Sequence, residues 1–292
     1  MVVSEYDAFG PWIYEISEEH PAPELFKPYI PEEPCLMCFK IPRDIERRRA
    51  TPDMDLYDYV VGAYEEYICI LKRIEHTVEK SIVRYRDVEG ICLFRKFLRG
   101  TCTLYLKNGE AVLPFNVVSI ATMTAFVGLV RQRYMTESER PVPGCQPLDS
   151  SIPEMLFVNL TRELKESGEK FQTVAYQPEM PVLFKKETFS ERIAHIRRPQ
   201  RIPAALHLIS DRELLIIQRE LAAKKIRENE YGYTFTYLPL SKIRDIQFEK
   251  DKGCGQILKC LIRMEHTQLE LDLDESNQKA GDFYRTLSGS LR

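Results

Sequence analysis

Arginine is the residue type able to bind ligands that recurs in clusters along this 292-residue chain. Guanidinium groups hold phosphate and carboxylate oxygens through paired hydrogen bonds, so a cluster of them is a candidate anion-binding surface. Two clusters each precede a pair of predicted strands: Arg43, Arg47, Arg48 and Arg49 in the first, and Arg192, Arg197, Arg198 and Arg201 in the second. In the alternative interpretation they form exposed pairs with nearby carboxylates, which contribute little to stability. Those carboxylates are Asp44, Glu46, Glu187 and Glu191.

Two further patterns have the spacing of metal or redox sites. Cys35 and Cys38 form a Cys-x-x-Cys pair, but the chain has no second pair at zinc-ligand spacing. Asp53, Asp55 and Asp58 could together chelate a hard cation, but no glycine-containing calcium loop follows them. The sequence therefore predicts no metal site and no cofactor.

Catalytic motifs are missing from the sequence. It has no Gly-x-Ser-x-Gly, no glycine-rich phosphate loop and no His-Glu-x-x-His, and its five histidines are dispersed. Without an acid–base pair that converges in the sequence, we expect a protein that is not an enzyme. A metal-dependent enzyme using the three aspartates remains the weaker hypothesis.

Composition limits the classes of partner. The formal net charge is −3, so the chain as a whole is not attracted to nucleic acid or to an anionic membrane, and we expect no nucleic-acid binding. The eight cysteines are scattered and the N-terminal region is acidic, without a signal-length apolar core. These features favour a cytoplasmic protein, with a membrane-peripheral location as the alternative.

One uncharged stretch, Ala111–Val130, has about the length of a membrane span. It divides at Ser119. The part before Ser119 follows the turn pair Asn108-Gly109 and has the pattern of a returning hairpin strand. The part after it places its large apolar residues on one helical face. A strand followed by an amphipathic helix therefore explains the stretch better than a span.

Proline content and β patterns divide the chain into four regions. Residues 1–55 form a proline-rich, irregular arm that we expect to dock through the segment around Trp12. Residues 56–135 form a first β domain, 136–173 a linker with a helix capped at Ser151, and 174–292 a second β domain. Both β domains show one order: a strand pair, a third strand, a short Val/Ile-spaced connection, a hairpin and a helix. This shared order indicates a duplication.

The second β domain resembles the bacterial pleckstrin-homology-like (PH-like) domains. Residues 208–216, Leu-Ile-Ser-Asp-Arg-Glu-Leu-Leu-Ile, look like their strand that ends in Ser-Asp-x-Arg before an Ile-rich strand. Residues 238–246, Leu-Pro-Leu-Ser-Lys-Ile-Arg-Asp-Ile, look like their proline-containing connection. The resemblance implies an α+β fold of two PH-like units. Each unit would be a bent antiparallel sheet or partly open barrel capped by a C-terminal helix.

A PH-like fold by itself does not define a ligand. Familiar lipid-binding PH domains gather cations in the loop between their first two strands. Here that loop contains Asp211 beside Arg212, and the other copy has Glu65 and Glu66, so it would repel an inositol phosphate. We therefore expect a non-catalytic binding or scaffolding protein whose partner is another protein or a peptide. Peripheral binding of anionic lipid headgroups through the arginine clusters is the alternative.

Overall fold

The computed structural model describes residues 4–135, 152–182, 201–220, 232–251 and 256–290. Within these ranges the protein is mixed α+β with several antiparallel sheets, none of them closed, which confirms the predicted class at that level. The chain divides into two compact units. The first consists of Met1–Val88, Phe97–Leu104 and Glu110–Met135. The second consists of Glu89–Lys96, Tyr105–Gly109 and Thr136–Arg292.

The secondary structure of the described residues is mostly strand. In chain order the strands are β1 (Tyr14–Glu15), β2 (Met37–Pro42), β3 (Tyr57–Ala63), β4 (Tyr67–Ile74), β5 (Thr77–Arg84), β6 (Val88–Lys96), β7 (Arg99–Leu106), β8 (Gly109–Asn116), β9 (Gln172–Gln177), β10 (Met180–Pro181), β11 (Arg201–Ile202), β12 (Ala205–Ile209), β13 (Glu213–Arg219), β14 (Gly232–Pro239), β15 (Asp245–Lys250), β16 (Ile257–Arg263) and β17 (Gln268–Asp274). The α-helices are α1 (Glu5–Ala8), α2 (Ile120–Tyr134), α3 (Met155–Glu166) and α4 (Gln278–Ser290).

In the first unit, β1 to β5 form one antiparallel sheet in chain order. The buried ring of Phe39 on β2 packs edge-on against Phe126 of α2, with centroids 5.3 Å apart. Gly62 on β3 has no room for a side chain, since a Cβ there would lie 2.7 Å from the Tyr64 ring. The prediction of an irregular N-terminal arm is wrong for Met37–Pro42, because these residues form β2, which pairs with β3.

The uncharged stretch Ala111–Val130 is divided as predicted. Strand β8 occupies its first part, a short 3-10 turn follows, and α2 begins at Ile120. The Asn116 side chain accepts a hydrogen bond from the Val118 backbone N (3.1 Å) and so caps this turn. None of the helices in the described ranges has the length and apolar character to cross a membrane.

The described residues of the second unit form three antiparallel arrangements: a five-strand run in the order β6-β14-β13-β12-β9, the sheet β15-β16-β17, and the pair β10-β11. Helix α4 packs against β9 and β15 and buries Phe283, Tyr284 and Leu287 in the core of this unit. The predicted C-terminal hairpin and helix are both confirmed. Strand β9 was not predicted, and neither was the pairing of β6 with β14.

Helix α3 begins later in the chain than the sequence predicted. It begins at Met155, and its N-cap is Glu154, whose side chain makes no capping hydrogen bond, so the predicted cap at Ser151 is wrong. The Glu154 carboxylate instead accepts a hydrogen bond from the Tyr176 hydroxyl on β9 (2.9 Å). The helix ends at Glu166, two residues before Gly168, whose positive φ of 83° is typical of a residue that follows a helix C-terminus.

Candidate functional site

The first arginine cluster lies beside local partners. The Arg48 Nε donates to the Glu46 carboxylate, and the Arg49 Nε lies 3.7 Å from the same group. Both arginines are exposed, so these pairs are solvent-screened and weak. This is the arrangement of the alternative interpretation, in which the charge run pairs with neighbouring carboxylates.

The two remaining members of that cluster, Arg43 and Arg47, are also engaged. The Arg43 guanidinium donates to the Asp55 carbonyl oxygen (3.1 Å) and lies 3.9 Å from the Asp58 carboxylate. The Arg47 guanidinium stacks over the ring of Tyr6, 4.0 Å from its centroid. All four arginines therefore have partners within the first unit, and an anion would have to compete with them.

The second cluster is described at one position. The Arg201 Nη1 donates to the Glu179 Oε1 at 2.5 Å. Arg192, Arg197 and Arg198 lie outside the described residues, so their role as anion-binding groups stays a prediction.

The three aspartates have separate interactions. Asp58 accepts two hydrogen bonds from the Arg73 guanidinium (2.6 and 3.1 Å), and Asp55 lies 3.6 Å from the His76 Nδ1. A hydrogen bond from the Thr51 side chain, and then one from its own backbone, lowers the pKa of Asp53. Within the described ranges these carboxylates do not form a cluster of potential metal ligands.

The Cys-x-x-Cys pair also lacks the environment of a reactive site. Burial, followed by the neighbouring Cys35, raises the pKa of the Cys38 thiol to about 12. A thiol that stays protonated is a poor metal ligand and a poor nucleophile, because the thiolate is the reactive form. Cys38 therefore has the properties of a structural residue, whereas Cys35 is exposed.

A buried lysine anchors the N-terminal arm. Lys40 on β2 is almost fully buried, donates to the Pro21 carbonyl oxygen (2.8 Å) and lies over the Tyr57 ring, 4.6 Å from its centroid. Burial lowers the pKa of Lys40, and the nearby Glu5 carboxylate opposes that effect. Because Lys40 bonds the backbone of the arm, its geometry is that of a structural tie.

An exposed apolar patch lies in the first unit. Its members are Trp12, Phe97, Leu98 and Val118, whose exposed fractions are 50%, 58%, 60% and 48%. Two hydrogen bonds bring their segments together: the Ile13 backbone N donates to the Ser119 Oγ (2.8 Å), and the Val117 backbone N donates to the Leu98 carbonyl oxygen (2.9 Å). These bonds place the three segments next to one another, which makes their exposed apolar side chains a candidate interaction surface.

The backbone at the centre of the apolar patch is strained. Phe97 has a φ of 50°, in the left-handed region that bulky residues avoid at a cost of about 1 kcal/mol. Glycine or asparagine would fill this turn at a lower cost. Glu75, in the turn between β4 and β5, has a similar φ of 54°, so the conformation belongs to the tight turn, and what distinguishes Phe97 is the exposed aromatic ring. The exposed cation Arg99 follows two positions later.

In the second unit, a buried carboxylate holds a hairpin turn. Glu89 on β6 is 3% exposed and accepts hydrogen bonds from the turn between β16 and β17. The donors are the Thr267 Oγ1 (2.6 Å), the Thr267 N (2.8 Å), the His266 Nδ1 (2.8 Å) and the His266 N (3.0 Å). Burial alone would raise the pKa of Glu89, but the hydrogen bonds from Thr267 and His266 outweigh it and lower the pKa.

Glu89 and His266 form a site together with Glu265. One possible ligand atom from each of the three residues lies within 4.8 Å of the others. Neither Glu89 nor His266 was among the candidate site residues predicted from the sequence. The available signal was a carboxylate inside an otherwise apolar strand segment, Val88-Glu89-Gly90-Ile91.

Comparison with protein-family models gave no match for this chain, and comparison with curated proteins gave none either.

Proposed function

We propose that this protein is a non-catalytic binding protein built on two PH-like domains, and that it binds another protein through the apolar patch. The partner would present an apolar pocket or groove to Trp12, Phe97 and Leu98. The exposed apolar patch with its strained aromatic residue is the observation that carries this proposal.

The order of elements supports the PH-like part of the proposal. Along the chain, β2 to β5 are followed by a 3-10 turn (Tyr85–Asp87), then by β6 to β8 and α2. In the second half, β9 and β12 to β14 are followed by a 3-10 turn (Leu240–Lys242), then by β15 to β17 and α4. Within the described residues, and apart from the two-residue strands β10 and β11, both halves read as four strands, a turn, three strands and a helix.

A protein partner fits the charges better than a membrane does. Membrane association through arginine requires free cations facing the headgroups, with about 1 kcal/mol from each. Arg43, Arg47, Arg48 and Arg49 already have partners in the first unit. The net charge of −3 adds no attraction for anionic lipid. An apolar contact with one adjacent cation, Arg99, is typical of the centre of a protein interface, where aromatic residues and arginine are enriched.

The test is affinity capture of partners by the full chain and by a patch variant, Trp12→Ser with Leu98→Ser. Interface anchors of this kind cost at least about 2 kcal/mol when removed, which corresponds to a roughly 30-fold loss of affinity. The matched control is Met155→Ser on α3, because Met155 is 70% exposed and lies in the second unit.

We expect one protein to be captured by the wild type and by Met155→Ser, and to be lost with the patch variant. The same proteins are then floated with vesicles that contain anionic lipid. Vesicle binding that salt abolishes, together with capture unchanged by the patch substitutions, would refute the proposal in favour of the membrane alternative.

A further inference from the structure

We propose that Glu89, Glu265 and His266 bind one divalent cation of the Mn²⁺ type at the turn between β16 and β17. The cation would join the buried strand β6 to this turn. This site lies in the second unit and is independent of the apolar patch, so either proposal can fail without the other.

The charges around the turn favour a cation. Glu89 is a buried carboxylate held in place by hydrogen bonds from His266 and Thr267, and Glu265 adds a second carboxylate from the turn itself. Against these two negative charges stands Arg244, whose Nη2 lies 3.6 Å from the Glu265 Oε2 in a pair that is more than half exposed on both sides. A solvent-screened pair of this kind is weak, so the site keeps an excess of negative charge.

The atoms are already close to a chelating geometry. The His266 Nδ1 and the Glu89 Oε1 are 2.8 Å apart, with the imidazole hydrogen between them. With metal–ligand bonds of about 2.1 Å, two ligands at a right angle are about 3.0 Å apart. A cation bound by both atoms would lie to one side of the line that joins them and replace their hydrogen bond. The pair must open by about 0.2 Å, the His266 ring must turn, and its hydrogen must move from Nδ1 to Nε2. The backbone bonds from His266 and Thr267 continue to hold the Glu89 carboxylate in place.

The donor set selects the kind of cation. Two carboxylates and one imidazole suit Mn²⁺, since carboxylates favour hard ions and imidazole disfavours Mg²⁺ and Ca²⁺. Three protein ligands leave the remaining octahedral positions to water. Mn²⁺ is also the informative probe because exposed thiols such as Cys35 compete for Zn²⁺ far more than for Mn²⁺.

The experiment titrates Mn²⁺ into the full chain and follows the signal of the free ion by electron paramagnetic resonance. We expect one bound ion per chain, with affinity reduced at least 10-fold in His266→Ala and in Glu265→Gln. His76→Ala is the matched control, because His76 is an exposed histidine that also lies beside a carboxylate, that of Asp55 (3.6 Å). It should bind Mn²⁺ as the wild type does.

Circular dichroism of each variant first establishes that it is folded. Both test positions are exposed, so the variants avoid the folding risk of replacing the buried Glu89. At about 1 mM free Mn²⁺, even a weak site with a binding free energy of about 4 kcal/mol is half filled. If the wild type binds no Mn²⁺ at that concentration, the proposal is overturned. Binding that is equally strong in His266→Ala and Glu265→Gln would overturn it as well.

Discussion

His207 lies in the middle of β12 with its ring completely inside the second unit. Its Nδ1 is hydrogen-bonded to the Tyr284 hydroxyl on α4 at 2.8 Å. Among the described residues the Nε2 atom has no hydrogen-bond partner. Burial lowers the pKa of His207 from its ordinary 6.5 to about 4, since a charged ring cannot be solvated there. The folded protein therefore binds this proton less well than the unfolded chain does.

The direction of the pH effect follows from that difference. Above pH 6.5 the ring is neutral in both states, and His207 has no effect on pH dependence. As the pH falls from 6.5 towards 4, the unfolded chain takes up the proton and the folded protein does not, so stability is lost. The loss amounts to about 2 kcal/mol at pH 5 and to about 3 kcal/mol once the pH is below both values.

Urea unfolding, followed by circular dichroism at pH 7.5 and pH 5, measures this loss. His207→Asn retains a polar group near the Nδ1 position without a titrating ring, so it should lose about 2 kcal/mol less stability than the wild type over this interval. His76→Asn is the control, because the His76 side chain is 94% exposed and its replacement should leave the wild-type pH dependence in place. Equal losses in the wild type and in His207→Asn would refute the reasoning.

Three further substitutions have defined outcomes in urea unfolding at neutral pH. Glu89→Gln should lower the free energy of unfolding by about 2 kcal/mol, because the donors of the turn lose a charged acceptor. A change below about 0.5 kcal/mol would show that these hydrogen bonds do not stabilise the fold. Leu273→Ala, at a position 1% exposed in the core of the second unit, should cost about 2–5 kcal/mol, and a smaller loss would contradict the tight packing there. Phe97→Asn should instead raise stability by about 0.5 kcal/mol, because asparagine tolerates the positive φ without the unfolded-state entropy of glycine, and destabilisation would mean that the ring contributes to folding.

The regular elements were predictable where the pattern along the chain is local. The uncharged stretch was correctly divided into β8 and α2, because the turn pair Asn108-Gly109 and the helical spacing after Ser119 are short-range signals. The hairpin of β12 and β13 was also predicted. In its turn the Ser210 Oγ accepts hydrogen bonds from the backbone N of Arg212 (3.2 Å) and of Glu213 (3.0 Å).

The errors that concern strands have a common cause, which is that long-range pairing leaves little trace in a single sequence. Strand β2 lies inside a proline-rich segment, and its partner β3 begins fifteen residues after β2 ends. The pairing of β6 with β14 joins segments more than a hundred residues apart. The proline content of residues 1–55 led to the prediction of an irregular structure. Proline frequency carries no information about a later strand, β3, that pairs with β2.

The functional surfaces were harder to predict for the same reason. The arginine clusters were visible in the sequence, but their carboxylate and aromatic partners become evident only in the fold. The apolar patch joins Trp12 to residues near 97 and 118, and no spacing rule connects these positions. A lone tryptophan is more often a core residue, and here Phe9 and Ile13 fill that role beside it.

Site-specific photo-crosslinking in cells of the natural host tests the proposed binding surface most directly. A photoreactive amino acid replaces Leu98 in the apolar patch or, in the control, Ile82 on β5, the terminal strand of its sheet and a position 51% exposed. Binding through the apolar patch predicts a discrete protein adduct from position 98 and none from position 82. An adduct from position 82 alone, or only lipid adducts from position 98, would contradict it.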